Sequence, residues 1–280
     1  MKEKKCIIVC GPTAVGKTDF AADLALKYNT SIISADSRQC FKELNIGVAK
    51  PSTSILEKIP HFFINSHSVH DEVNVKVFEE YALKAISEIF KKRDIAVMVG
   101  GTGMYIKAFA EGIDEVPETD KSLREKIAHT FSEQGIAWLQ NELKQKDPVF
   151  FSEGEMENPQ RMLRALEVKI STGKSILDFQ SNTKVDRDFD IEYIVLDLPR
   201  EKLYQRINER VDYMMKEGLL EEVRSLYSLR HLNALQTVGY REIFAYLDGD
   251  YSLDFAIAEI KKNSRRYAKR QITWFKKYAK

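Results

Sequence analysis

Eight residues near the N-terminus, Gly11, Pro12, Thr13, Ala14, Val15, Gly16, Lys17 and Thr18, follow the spacing G-x-x-x-x-G-K-S/T. Successive backbone N–H groups of such a loop, together with the positive end of the helix behind it, cradle a diphosphate. Lys17 would neutralise its charge, and the Thr18 hydroxyl stands where it can ligate Mg²⁺. A chance match somewhere in 280 residues has a probability on the order of 1% at average residue usage. An ordinary glycine-rich turn is the plain alternative. Most loops of this kind hold a nucleoside triphosphate, yet the usual company is incomplete here. Where a hydrolytic NTPase often places a metal-binding carboxylate at a strand end, this chain reads Val99-Gly100-Gly101-Thr102-Gly103. Asp197, ending the run from Tyr193, offers a carboxylate elsewhere, with a capping or solvated role as the alternative.

Other groups have chemistry in reach. Asp36 ends an apolar run and is followed by Ser37-Arg38-Gln39. It could orient a metal, take a proton from a nucleophile, or cap a turn. Arg210 falls on the apolar stripe Leu203, Ile207, Met214. An inward guanidinium asks for an anion, which a bound phosphate supplies bidentately, unless the side chain snorkels to water. Arg161 and Arg164 lie three apart with Gln160 beside them, a polar face for a phosphate backbone or for solvent alone. Tyr267, Trp274 and Tyr278 alternate with Arg266, Lys269, Arg270, Lys276 and Lys277, which suits either a nucleic-acid surface or a helix packed by its aromatics and solvated by its bases.

The elements that position these groups follow from periodicity. Ile7–Cys10, Ser31–Ala35 and Ile95–Val99 are continuous apolar runs, each ended by a polar or glycine-rich turn, and helical patterns separate them. Such runs belong to a parallel sheet covered on both faces. Ligands of these sheets sit at the carboxyl ends of the strands, so residues 11–18, 36–39 and 100–103 should converge. Between Pro117 and Arg187 the pattern turns to charged helices, with Asn158-Pro159 as a helix start and Gly173 as its stop. The expected architecture is an α/β, P-loop-like parallel-sheet core, residues 1–116 and 188–280, with a helical insertion at 117–187. Helices are expected over 201–227 and 253–280 in the core's second part.

Composition limits the function classes. With 44% hydrophobic and 30% charged residues the chain supports a real core and is not a disordered one. No apolar run approaches the roughly 20 residues of a membrane span, and no secretory signal precedes the first strand, so the expected location is the cytoplasm. Three cysteines, Cys6, Cys10 and Cys40, are too few and too scattered for a disulfide framework or a zinc site and read as buried thiols. Net charge is +1, but residues 261–280 hold nine basic and no acidic side chains, leaving 34 basic against 42 acidic groups elsewhere. That polarity points to a polyanionic partner at the C-terminal helix.

Six ordered blocks, GPTAVGKT, SADSRQCFKELNIGVAKP, GGTGMYIKA, NPQRMLRALEV, QTVGYREI and AKRQITWFKK, resemble the tRNA dimethylallyltransferases, also called tRNA isopentenyltransferases, over nearly the whole chain. The resemblance implies transfer of a dimethylallyl group from dimethylallyl diphosphate to N6 of adenosine 37 in the tRNA anticodon stem-loop, with Mg²⁺ as cofactor; a monomer is expected. It implies that the Gly11–Thr18 loop holds the prenyl diphosphate in place of ATP. Asp36 would then be the general base toward the adenine amine, with Thr102 and Arg210 acting at the diphosphate or reacting centre. Ser37, Arg38, Gln39, Arg124, Gln160, Arg161, Met162, Leu163 and Arg164 would contact tRNA, with the target base at the mouth of a channel through the core. Departures from the family pattern are Val15 for a small polar residue, Cys40-Phe41 for Val-Tyr, and Glu43-Leu44-Asn45 for a Gly-Met-Asp-like run. The absence of a zinc-binding tail suits the bacterial type. Two other readings stay open from the residues: an adenylate isopentenyltransferase, which needs neither the basic helix nor the insertion, and an ATP-dependent nucleotide-binding module or kinase.

Overall fold

A computed structural model describes residues 3–181 and 183–279. Lys280 of the basic C-terminal cluster lies outside the described residues. Contacts divide the chain into two compact units, 3–112 with 185–279, and 113–184. These limits fall a few residues before those drawn at 117 and 187. Residues 185–187 belong with the core because the Val185 N–H donates to the Glu111 carbonyl, while the Arg187 guanidinium donates to the carbonyls of Ala108 and Phe109 and pairs with Glu79 at 2.7 Å.

The first unit runs β1 (Lys5–Cys10), α1 (Lys17–Lys27), β2 (Ile32–Ala35), α2 (Thr53–Lys58), β3 (His61–Phe62), α3 (Val75–Phe90), β4 (Ile95–Gly100) and α4 (Gly103–Glu111). The second unit contributes α5 (Lys121–Lys146), α6 (Pro148–Glu153) and α7 (Pro159–Thr172). The chain then returns through β5 (Asp190–Val195), α8 (Arg200–Lys216), α9 (Leu219–Ser225), α10 (Tyr240–Leu247) and α11 (Leu253–Phe275). The sheet is wholly parallel, in the order β3-β2-β4-β1-β5. Alternate residues of β1 serve opposite faces: Cys6, Ile8 and Cys10 join the large cluster with Phe78, Ile86, Ile106 and Phe275, whereas Val9 packs with Ala21 and Ala25 of α1. Both faces are therefore covered, the P-loop-like arrangement expected. All three cysteines are buried thiols, and among the described residues no helix is long and apolar enough to cross a membrane.

Register brings the strand ends level. Cys10 and Ala35 both pair with Gly100, so the loops after β1, β2 and β4 leave the sheet at one edge, as the sequence predicts. The single helix expected over 201–227 is two, because Gly218 adopts φ 100° and starts α9 afresh. The short strand β3 and helix α10 are additions to the sequence reading, although Tyr240, Ile243, Phe244 and Leu247 of α10 do recur at helical spacing.

Within the second unit, α7 begins and ends as expected. The Asn158 side chain accepts from the N–H groups of Gln160 and Arg161, and Gly173 closes the helix in the left-handed region. Met162 and Leu163 depart from expectation: both are buried against Ile127, Leu139 and Leu143 of α5. Their helical positions put their side chains into packing, so any contact made by this stretch falls to Gln160, Arg161 and Arg164.

Candidate active site

The loop between β1 and α1 has the geometry of an anion cradle. Ala14 sits at φ 63° and Gly16 at φ 104°, positive values that turn successive N–H groups toward one side of the loop. The Val15 side chain is buried with Leu203, Ile207 and Ala268, pinning the loop onto α8 and α11. Burial of that kind is worth about 1.5–3 kcal/mol, and it gives the departure at Val15 a packing role that leaves the backbone amides untouched. Lys17, at the start of α1, donates to the Pro12 carbonyl at 2.6 Å. Burial, reinforced by the neighbouring Arg210 charge, lowers its pKa to about 8, with Asp36 opposing the shift. The Thr18 hydroxyl has no hydrogen-bond partner among the described residues.

Arg210 reaches the loop from α8: its guanidinium donates to the Thr13 hydroxyl at 3.2 Å. Burial holds its pKa below the ordinary arginine value, with Asp36 opposing. No carboxylate pairs with it among the described residues. The apolar stripe beneath it is Leu203, Ile207 and Val211, so the guanidinium faces the loop and not solvent. One turn earlier, Arg206 lies 3.5 Å from the Val15 carbonyl, a second cation at the same loop that sequence reasoning passed over. Its i, i+4 spacing from Arg210 was the available signal.

Asp36 stands directly after β2 and does two things. Its Oδ1 accepts from the N–H groups of Arg38 at 2.9 Å and Gln39 at 3.3 Å, the capping role. Its Oδ2 has no hydrogen-bond partner among the described residues and is left for chemistry. Thr102 occupies the position that caps α4 but does not cap it; its hydroxyl accepts from the Ser37 N–H at 3.1 Å and lies beside the Tyr267 phenol. Burial, with Asp36 next in effect, pushes Tyr267 up to about 12. The loops after β1, β2 and β4 thus meet, bringing Thr13, Lys17, Asp36, Thr102 and Arg210 into one neighbourhood.

The residue that ties this neighbourhood together had no signal in the sequence. Gln271, buried on α11, accepts from the Thr13 N–H at 2.8 Å and donates to the Gly101 carbonyl at 2.9 Å. Its amide bridges the phosphate loop to the glycine loop after β4. Glycine at 101 is required by this approach, since a Cβ there would lie 2.2 Å from Gln271 Nε2. The aromatics of α11 divide between the two sequence readings. Tyr278, just beyond it, stacks on Tyr193 of β5 at 4.4 Å, and Trp274 packs against the large core; Tyr267 faces the site.

The remaining expected contact residues are placed as follows. Arg38 donates to the Asn233 carbonyl. Gln39 accepts from the Ser34 hydroxyl and gives its amide hydrogens to the carbonyls of Val48 and Ala49, so it braces its own loop. In the second unit, Glu167 holds Arg124 at 3.5 Å and Arg164 at 3.4 Å, while Arg161 pairs with Glu155. Gln160 is exposed. Asp197 is exposed and accepts from the Leu198 N–H, the turn-capping alternative. Among the described residues no group of three His, Cys, Asp or Glu side chains could hold a metal. A hard cation here would take one hydroxyl, that of Thr18, and complete its shell with oxygens of an anionic ligand and water, a donor set that fits Mg²⁺.

The sequence profile of the IPP transferases matches residues 39–278. A tRNA dimethylallyltransferase of Flavobacterium psychrophilum is 47% identical over 277 residues, 97% of this chain and 90% of that protein. One from Cytophaga hutchinsonii is 45% identical, covering 99% and 91%. Among solved structures, the tRNA isopentenylpyrophosphate transferase of Bacillus halodurans superposes with a TM-score of 0.70 at 35% identity, over 97% of this chain and 86% of that one. A eukaryotic dimethylallyltransferase acting on tRNA superposes at 0.79 and 29% identity, over 98% and 70%. The phosphate loop, the strand-end aspartate and this breadth of similarity lead to one conclusion: the chain belongs to the IPP transferase family.

Proposed function

We propose that this enzyme transfers a dimethylallyl group from dimethylallyl diphosphate to N6 of adenosine 37 in tRNA and releases diphosphate. The observation that carries the reading is the meeting of an anion cradle and a carboxylate with a free oxygen at one edge of the sheet. Charge separates as the bond between the allylic carbon and the diphosphate oxygen breaks: the carbon becomes electron-poor and the leaving oxygen keeps the electron pair. The loop amides, Lys17 and Arg210 are preorganised donors toward that developing negative charge. Mg²⁺, which Thr18 would help to hold, would supply further Lewis-acid stabilisation of the leaving group when bound. As N6 bonds to the allylic carbon, Asp36 Oδ2 takes the proton that N6 loses, a contribution of about 10²- to 10⁴-fold. Thr102, through the Ser37 N–H, holds the backbone beside that carboxylate. An adenine in the anticodon loop can be turned out for a few kcal/mol, whereas a paired base could not reach Asp36. Ser37, Arg38, Gln160, Arg161, Arg164 and Arg124 are the proposed tRNA contacts, and we read the enzyme as a cytoplasmic monomer.

The deciding experiment incubates the protein with Mg²⁺, labelled dimethylallyl diphosphate and unmodified tRNA. Label should enter the RNA at the adenosine beside the anticodon. Tight ATP binding without binding of the prenyl diphosphate would reject the reading.

Lys17 makes a pH prediction. Its pKa of about 8 in the free protein means the charged form predominates below that value. Above it the amine is neutral, so binding a diphosphate requires taking up a proton. Affinity for dimethylallyl diphosphate, measured calorimetrically without tRNA, should therefore fall as pH rises through about 8, by at most about tenfold per pH unit. Proton uptake should be visible as a dependence of the heat on buffer ionisation enthalpy. Constant affinity from neutral pH to pH about 9.5 would remove Lys17's charge from donor binding.

A further inference from the structure

The loop after β2 starts at Asp36, and its far end is gripped by a single carboxylate. Glu222, on α9, accepts from three successive N–H groups, those of Asn45 at 3.1 Å, Ile46 at 2.8 Å and Gly47 at 3.0 Å, and from the Tyr240 hydroxyl at 2.6 Å. Successive amides converging on one anion form a nest, and each bond is strengthened by the charge. Tyr240 is fully buried, and its ring lies so close to Gly47 that a Cβ there would be 2.5 Å from it. Tyr240, within the QTVGYREI block, thus packs against the loop and has no face open to a substrate.

From this grip a line of bonds leads back to the carboxylate proposed as base. Val48 and Ala49, next along the loop, accept the two amide hydrogens of Gln39. The Gln39 carbonyl oxygen accepts from Ser34 in β2, and the Gln39 N–H donates to Asp36 Oδ1. Lys50 closes the loop's other side on the Phe41 carbonyl and the side chains of Asn45 and Asn65. Glu222 makes no hydrogen bond to the phosphate loop, Arg210 or Gln271 among the described residues. Glu222 therefore braces the far end of the loop that would take the acceptor without a direct bond to the groups that would take the donor, whereas the loop's Ser37 end is tied to Thr102.

We infer that Glu222 is a positioning residue for the acceptor: with Tyr240 it fixes the 36–49 loop in the shape that presents Asp36 Oδ2 to the adenine amine. The inference rests on Asp36 acting as the base in tRNA prenylation. It predicts a split that a general loss of folding would not produce. In Glu222→Gln one acceptor oxygen remains while an amide donor is turned toward groups that are themselves donors. Tyr240→Phe removes only the fourth bond.

Four readouts on the full-length variants test it: kcat, KM for tRNA, Kd for dimethylallyl diphosphate without tRNA, and hydrogen exchange at the amides of Asn45, Ile46 and Gly47. Expected for Glu222→Gln is a loss in kcat/KM for tRNA of about ten- to a hundredfold, faster exchange at those amides, and a donor Kd within about twofold of wild type. Tyr240→Phe should show the same pattern with a smaller loss. Faster exchange with unchanged tRNA kinetics would overturn the inference while leaving the prenylation reading intact, as would an equal loss of donor binding. A wild-type protein that transfers no label to tRNA would end the prenylation reading and this inference with it.

Discussion

Replacing Asp36 by asparagine should lower kcat by about 10²- to 10⁴-fold while both substrates still bind. The substitution is chosen because the two carboxylate oxygens have different partners. Oδ1 accepts from the N–H groups of Arg38 and Gln39, a duty an amide oxygen also performs. The asparagine variant therefore keeps the turn and loses only the proton acceptor at Oδ2. Alanine would also remove the turn's cap, at a cost of about 0.5–2 kcal/mol, and its kinetics would mix the two effects. Single-turnover rates with labelled donor, together with separate measurements of donor and tRNA affinity, distinguish chemistry from binding. Wild-type turnover in Asp36→Asn would remove the carboxylate from the proton transfer.

The second large effect is expected at Arg210. Its guanidinium is half-buried, touches the Thr13 hydroxyl and has no carboxylate partner among the described residues. Until an anion arrives, a cation so placed is offset only in part, by the nearby charge of Asp36. Arg210→Leu should lower kcat/KM for dimethylallyl diphosphate by about 10²- to 10³-fold, the scale of losing one preorganised donor to a developing anion. The ligand-free protein should not lose stability, because an apolar side chain removes an unpaired charge from a partly dry position. Arg210→Lys retains the charge without the planar fork and should recover part of the activity. Thermal unfolding read alongside the kinetics decides between roles: a large drop in melting temperature in Arg210→Leu would make the residue a structural support.

Much of this architecture is legible in the sequence because its signals are local. A strand, a glycine turn and a helix around Lys17 read as a phosphate loop from neighbouring residues alone. The apolar runs ending at Cys10, Ala35 and Val99 imply that their loops share an edge, and the pairing of Cys10 and Ala35 with Gly100 bears this out. The Asn158-Pro159 start and Gly173 stop of α7 likewise depend only on neighbours. What escaped is of two kinds. Gln271 and Glu222 act through hydrogen bonds to backbone far away in the chain, and a polar residue within a helical pattern does not announce a distant amide as its partner. Met162 and Leu163 are a different case: they sit between polar neighbours in a matching block, yet their spacing to Leu166 places their side chains on the packed face of the same helix.

The bridge made by Gln271 has a consequence for how the enzyme comes into being. Thr13 is synthesised well before α11, and the amide that orients its N–H lies 258 positions later. Segments fold as they emerge from the ribosome, but this closure must wait for α11 to emerge. A contact of such sequence separation also makes ring closure slow. The newborn protein should thus acquire its affinity for prenyl donor last, after most of the sheet has assembled, and a ribosome-tethered chain halted before residue 271 should bind none.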